Sequence, residues 1–318
     1  MTALPTGLRA GIIACAVALL SVACSSADDA TAPSTPAAAS GSITSLTAGA
    51  QELDVLSTDT PVNPGTIRFG FALITVQGGH ASGGTPQVFA ARDLTTTAQG
   101  PFSAVWFDFT GYQKTGDTSP QTNLDGTYAA QLQLTEVGNW VVAVVVTDGS
   151  TRLAGTATVQ VTDQDGPAAL GTKATSVRTP VATSDAKIAE ICTRKPVDTM
   201  HYISLDKALT NGKPTVVNFG TPLLCESRLC GPVIDEQILV FEKYGPTKAN
   251  FIHVEEFPPG ADLQPPPATE ENIAEPFRAW GFDSEPWIIV IDRDGMIRAR
   301  FEGPVVASEI EAALQPLL

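Results

Sequence analysis

Three cysteines late in the chain, Cys192, Cys225 and Cys230, are the residues whose type and spacing suit chemistry. A thiolate is a nucleophile and a metal ligand, and two neighbouring thiols can pass between dithiol and disulfide. Cys225-Glu226-Ser227-Arg228-Leu229-Cys230 is a C-x4-C arrangement, and its short loop favours pairing of these two sulfurs. Cys192, in Ile191-Cys192-Thr193-Arg194, can bridge to either of them or stay free. Cys230 is followed by Gly231-Pro232 and a helical pattern. Unpaired N–H groups and the positive end of the helix dipole favour a thiolate there. Cys230 is therefore the expected nucleophile and Cys225 the resolving or partner thiol. Pro232 suits the first helical turn, where its missing N–H costs nothing. Arg228 lies between the two cysteines and reads as a solvated loop residue.

The elements that must hold these thiols alternate between strand and helix. Residues 164–183 are rich in Gly, Ala, Thr and Pro and read as a linker to a domain spanning 184–318. Within it, 215–219 (TVVNF) is a buried type of strand, 232–244 a helix with one broad apolar face, and Gly245-Pro246 its stop. A strand over 250–256, a helix near 270–280, strands over 287–292 and 296–302 around Arg293-Asp294-Gly295, and a last helix from Val306 to Leu317 complete the order.

This order resembles the thioredoxin superfamily. Cys230-Gly231-Pro232 stands where that family has Cys-Gly-Pro-Cys. Ser284-Glu285-Pro286 stands where it places a cis-proline opposite the active cysteine, and an Asp-Gly turn joins the last two strands. The resemblance implies thiol–disulfide exchange, with Pro286 presenting a backbone edge to an extended substrate and no cofactor beyond the thiols. The chain departs from the family where Val233 replaces the second cysteine, Leu229 replaces the usual tryptophan, and Cys225 lies on the N-terminal side.

Residues 51–163 show period-two alternation broken by Gly, Asn, Asp and Pro clusters, which predicts an all-β sandwich. Leu124-Asp125-Gly126-Thr127-Tyr128 resembles the tyrosine corner of immunoglobulin-like folds, and Asp148-Gly149 reads as a tight hairpin turn. The expected fold is thus multidomain, an immunoglobulin-like sandwich followed by an α/β thioredoxin-like domain. Trp106 and Trp140 are core candidates, and His80, in a glycine-rich loop, reads as solvated.

The N-terminus carries Arg9 and then an uncharged stretch over residues 10–23, too short to span a bilayer, which reads as a signal peptide over 1–23. Leu20-Ser21-Val22-Ala23-Cys24 resembles the bacterial lipobox, which implies a lipid on Cys24, removal of Cys15, and an extracytoplasmic, membrane-anchored protein. Residues 24–50 read as a flexible tether, since 25–41 contain only Ser, Ala, Asp, Thr, Pro and Gly. The chain has 318 residues and a net charge of 19 − 34 = −15, which argues against nucleic acid as a partner. The expected partners are the membrane, through the anchor, and extracytoplasmic thiols or disulfides.

Two alternatives stay open. One is a redox-inert docking protein with a structural disulfide. The other is a copper-handling protein using Cys225 and Cys230, with His253 resembling the third ligand of the copper chaperones on this fold. His253 nevertheless reads as a core or sheet-edge residue, Met200 and His201 as isolated from any ligand pattern, and the proline-rich loop 257–268 as a spacer.

Overall fold

The computed structural model describes residues 38–58, 60–82, 84–109, 125–164, 166–225, 229–257 and 272–318. The signal and lipobox segment with Cys24, the first part of the tether, Arg228 and positions 258–268 of the proline-rich loop lie outside the described residues.

The alternating segment folds as strands β1 (Ala38–Ser42), β2 (Gln51–Ser57), β3 (Gly65–Thr75), β4 (Gln87–Ala91), β5 (Thr97–Asp108), β6 (Gly126–Leu134), β7 (Gly138–Asp148) and β8 (Thr151–Val161). The two-residue period is visible in the packing. Phe69, Phe71 and Leu73 of β3, Tyr128, Leu132 and Leu134 of β6, and Trp140, Val142 and Val144 of β7 all enter one core. Each such buried side chain contributes on the order of 1.5–3 kcal/mol. β7 and β8 form the hairpin expected around Asp148-Gly149, with Gly149 at φ 58°.

The strands do not stop at an open sandwich. Their order is β1-β5-β4-β7-β8-β2-β3-β6, and β6 also pairs with β5, so the sheet closes on itself. Two strands make the closure by changing partners midway. β5 pairs with β4 near Phe102 and with β6 from Ala104 to Asp108. β2 runs parallel to β8 at Gln51 and Glu52, then antiparallel to β3 from Leu53 to Ser57. Gly155 of β8 sits at the crossover, where any Cβ would collide with the Leu53 carbonyl oxygen.

The stretch expected to be tether up to residue 50 already carries β1 and a short helix α1 (Ile43–Thr47). Ile43 is the reason, because it is fully buried against Phe89, Ala98 and Ala143. His80 also differs from the solvated reading. It bridges to Ile74, and its ring packs 5.5 Å from that of Trp106. The Tyr128 hydroxyl donates to Gly84 O at 3.2 Å, far upstream rather than within its own turn.

The second half builds a four-stranded sheet from β9 (Thr215–Phe219), β10 (Asn250–Val254), β11 (Trp287–Ile291) and β12 (Ile297–Glu302), in the order β10-β9-β11-β12. β10 is parallel to β9, while β11 is antiparallel to β9 and to β12. β9, β10 and β11 are buried along their whole length, as their mostly apolar runs predict for a sheet covered on both faces. Short helices α2 (Asp185–Ile188) and α3 (Leu205–Ala208) precede the sheet. Between and after the strands come α4 (Cys230–Lys248), α5 (Glu275–Trp280) and α6 (Ala307–Leu314). Val233, Ile234 and Val240 of α4 pack with Ile310 and Leu314 of α6 on one face. Phe277 and Trp280 of α5 pack with Leu205 and Ala208 of α3 on the other. Gly245, at φ 63° and ψ 175°, breaks α4 at the expected place. Among the described residues, no helix is long and apolar enough to cross a membrane.

The two sheets belong to one compact unit and touch. Arg68 of β3 makes a two-pronged ion pair with Glu309 of α6, at 2.6 and 2.7 Å, and donates to Pro304 O at 2.9 Å. Ala72 and Phe109 of the closed sheet pack against Leu229 and Val306, with Ile74 and Phe107 beside them. Arg68→Ala should remove roughly 1.5–3 kcal/mol, the usual range for hydrogen bonds to charged groups. Urea denaturation followed by tryptophan fluorescence checks this, and an unchanged midpoint would mean that the pair contributes nothing.

Candidate functional site

The first site forms where β9 ends and α4 begins. Cys225 and Cys230 form a disulfide with Cα atoms 6.2 Å apart. Cys230 is the first residue of α4, and its N–H donates to Cys225 Sγ at 3.4 Å. Both cysteines are buried, Cys225 at 8% exposure and Cys230 at 0%. The Glu285–Pro286 peptide is cis, as the family resemblance implies. Pro286 is brought to the pair through Gly220. A Cβ on Gly220 would meet Cys230 Cβ and Pro286 Cβ, each at 3.3 Å, so glycine lets the two side chains close around the end of β9.

Sequence reasoning did not single out the carboxyl group at this site. A Glu285 carboxyl oxygen lies within 4.8 Å of both sulfurs. Thr221 N–H donates to Glu285 Oε2 at 2.6 Å, and the Thr221 hydroxyl accepts from Glu256 N–H at 2.7 Å. Burial pushes the Glu285 carboxyl well above its ordinary range, and the neighbouring Glu256 charge adds to the shift. Glu255, held by Thr193 N–H at 2.6 Å, is also raised, mainly by burial.

The second site lies behind the first. Cys192 is a free, buried thiol and joins neither of the other two cysteines. It gathers instead with Asp198, His201 and His253, whose candidate ligand atoms all lie within 4.8 Å of one another. Cys192 Sγ is 3.3 Å from Asp198 Oδ2, and His253 Nδ1 is 2.8 Å from that oxygen. His253 Nε2 is 2.8 Å from Gly220 O. The chain before α3 runs along the β10 edge, where the His253 backbone N–H donates to Met200 O at 2.9 Å. Met200 itself is core, whereas His201 belongs to the cluster.

Burial alone would raise the Asp198 carboxyl, but the His253 charge and the His201 and His253 side chains outweigh it and hold it well below the carboxylate range. Burial would lower His253, and the Asp198 charge and hydrogen bond raise it well above the usual imidazole range. The two therefore form an ion pair. A cavity of about 380 Å³ opens beside them, lined by His201, His253, Glu255, Phe257 and Arg178 among others.

The sequence-derived residues thus divide. Cys225 and Cys230 pair, and Cys230 and Pro286 both border Gly220. Cys192 and His253 meet each other, and His253 does not serve the Cys225–Cys230 pair. Its cluster could have been traced from the spacing Cys192-x5-Asp198-x2-His201, had an inward-facing histidine on the edge strand been paired with it.

No family model matches the chain, and no curated protein matches it. Among solved structures it is similar to a thiol:disulfide interchange protein, a thioredoxin family protein from Chlorobium tepidum TLS, with 16% identity over 46% of this chain and 99% of that one and a TM-score of 0.29. It is also similar to the Lin-41 filamin domain, with 13% identity over 41% of this chain and 100% of that one and a TM-score of 0.22.

Glu285 gives the site a pH signature. The folded carboxyl keeps its proton above the ordinary value of 4.5, so the folded state binds more protons than the unfolded chain above that pH. Stability therefore falls as pH rises from there through the folded pKa. Glu285→Gln, which mimics the protonated acid, should match the wild type at about pH 4 and exceed it at about pH 8. Urea midpoints measured across that range test this, and parallel profiles for the two proteins would refute it.

Proposed function

We propose that the chain is an extracytoplasmic, lipid-anchored protein whose thioredoxin-like domain carries out thiol–disulfide exchange through Cys225 and Cys230, beside an all-β domain whose sheet closes on itself. The carrying observation is the Cys225–Cys230 disulfide at the N-terminus of a long helix, with Pro286 and Glu285 against it.

In this reading the entry sulfur is Cys225, in place of Cys230, the nucleophile expected from the sequence. Cys225 is the less buried of the two, so a substrate thiolate attacks Cys225 Sγ. The Cys225–Cys230 bond breaks as the mixed disulfide forms, and Cys230 leaves as a thiolate. The helix N-terminus stabilises that thiolate, and a better-stabilised thiolate leaves faster. The Glu285 carboxyl is placed to give it a proton. A second substrate thiolate then displaces Cys225, so a substrate dithiol becomes a disulfide while the protein disulfide becomes two thiols. The reverse reaction retraces these steps, with Cys230 resolving the mixed disulfide on Cys225.

The burial of Cys230 also favours a second reading, a permanent staple. The two differ in potential, since structural disulfides typically lie below about −300 mV. Under the exchange reading, Cys230→Ser should trap a mixed disulfide on Cys225, and Cys225→Ser should trap none. Mass spectrometry of partner-reacted protein distinguishes these results. A wild-type pair that resists reduction below that potential and forms no mixed disulfide would leave only the staple.

The anchor rests on the lipobox-like residues ending at Cys24. Cys24→Ser should release the protein from the membrane fraction, and the intact mass of the wild type should include a lipid. An unmodified Cys24 would overturn this part.

A further inference from the structure

We propose that Cys192, Asp198, His201 and His253 form a binding site for one divalent transition-metal ion of the zinc class, separate from the disulfide. The ligand set is one thiolate, one carboxylate and two imidazoles, which suits a borderline ion in tetrahedral coordination. Two anionic and two neutral ligands around a dication leave no net charge, which is the condition for burying an ion in a protein interior.

The geometry is close to what such a site needs. Metal–ligand bonds of about 2.0–2.3 Å place tetrahedral ligand atoms roughly 3.3–3.7 Å apart. Cys192 Sγ lies 3.3 Å from Asp198 Oδ2 and 3.9 Å from His253 Nδ1, and His201 Nε2 lies 3.6 Å from Asp198 Oδ1. The His253–Asp198 pair, now at 2.8 Å, is the one that must open.

The independent observation is His201. Its side chain is 2% exposed, and its Nε2 makes no hydrogen bond among the described residues, only a long 3.6 Å ion-pair contact with the Asp198 carboxylate. A buried polar atom is normally satisfied, and an orphan one costs about 1–3 kcal/mol. An ion in the cluster would satisfy it. Outer partners are also in place. Gly220 O sits 2.8 Å from His253 Nε2 and so directs Nδ1 inward, and Met200 N–H donates to Asp198 Oδ1 at 2.9 Å. Metal-binding histidines usually have such a second-side partner. The cavity lined by both histidines supplies a way in.

The test uses the full chain carrying C15S and C24S, with the Cys225–Cys230 disulfide left oxidised, so that Cys192 is the sole free thiol. After chelator treatment, cobalt(II) is added. One equivalent should bind with a thiolate-to-cobalt charge-transfer band and tetrahedral d–d bands, and zinc(II) should displace it and raise Tm. Cys192→Ser should abolish the charge-transfer band. His201→Gln should weaken binding by more than about 100-fold, since a direct ligand outweighs an outer partner worth 10–100-fold. His80→Gln, outside the cluster, should change neither. Absence of both the band and the zinc-dependent Tm rise in the parental chain would overturn the site, whether or not the variants fold. So would a band that persists in Cys192→Ser. None of these outcomes bears on exchange at Cys225, because the two sites share no cysteine.

Discussion

The 2.8 Å contact between His253 Nε2 and the carbonyl oxygen of Gly220 ties two polar clusters to one stretch of backbone. Gly220 N–H donates to Val254 O at 2.9 Å, so the end of β9 stays locked to β10. On its other side the same residue touches Cys230 and Pro286, where a Cβ would be tighter than ordinary contact. A side chain here would push the helix start from the proline, or tilt the strand away from His253. Either movement would disturb both sites, because the glycine supplies the close approach for one and the acceptor for the other.

Around this point the protein buries charge that its composition makes scarce. Only 17% of residues are charged, yet Arg194, Asp198, Asp235, His253 and Glu255 are all buried. Arg194 Nε donates to Asp235 Oδ1 at 2.8 Å, which ties the segment just after Cys192 to the second turn of α4. Glu236, on the same turn, accepts from Ala307 N–H at 2.9 Å and so holds the start of α6. Breaking a buried pair strands a charge and costs several kcal/mol, whereas replacing both partners with apolar groups is often neutral. These pairs therefore act as position markers: they set where Cys192 and Cys230 sit relative to the sheet.

Local pattern made the second sheet readable. TVVNF over 215–219 and WIIVI over 287–291 are strands because mostly β-branched and apolar runs suit two covered faces. Gly245 and Gly281 mark helix ends because each takes a positive φ there, 63° and 71°. The helix start at Cys230 and its neighbour Cys225 were equally legible. The closure of the first sheet was not, because it depends on β2 and β5 changing partners midway, and period two is the same on either side of such a switch. The Cys192 cluster was hidden for a related reason. Its ligands come from an irregular segment and from an edge strand far along the chain, and Asp198 and His201 carry no periodic signal at all.

The contact between the sheets also reaches the start of the helix that carries Cys230. Leu229, one residue before Cys230, is buried among Ala72, Phe109 and Val306, so the closed sheet covers one side of the helix start. Cys230 begins the helix and is fully buried, and Cys225, at 8% exposure, lies off the helix. Substitution at sulfur requires the attacking thiolate to come in line with the bond it breaks. Under the proposed exchange, attack on Cys225 would expel Cys230, whose thiolate the helix N-terminus stabilises. Under the proposed exchange, the first sheet would border the site through Leu229, one residue from Cys230.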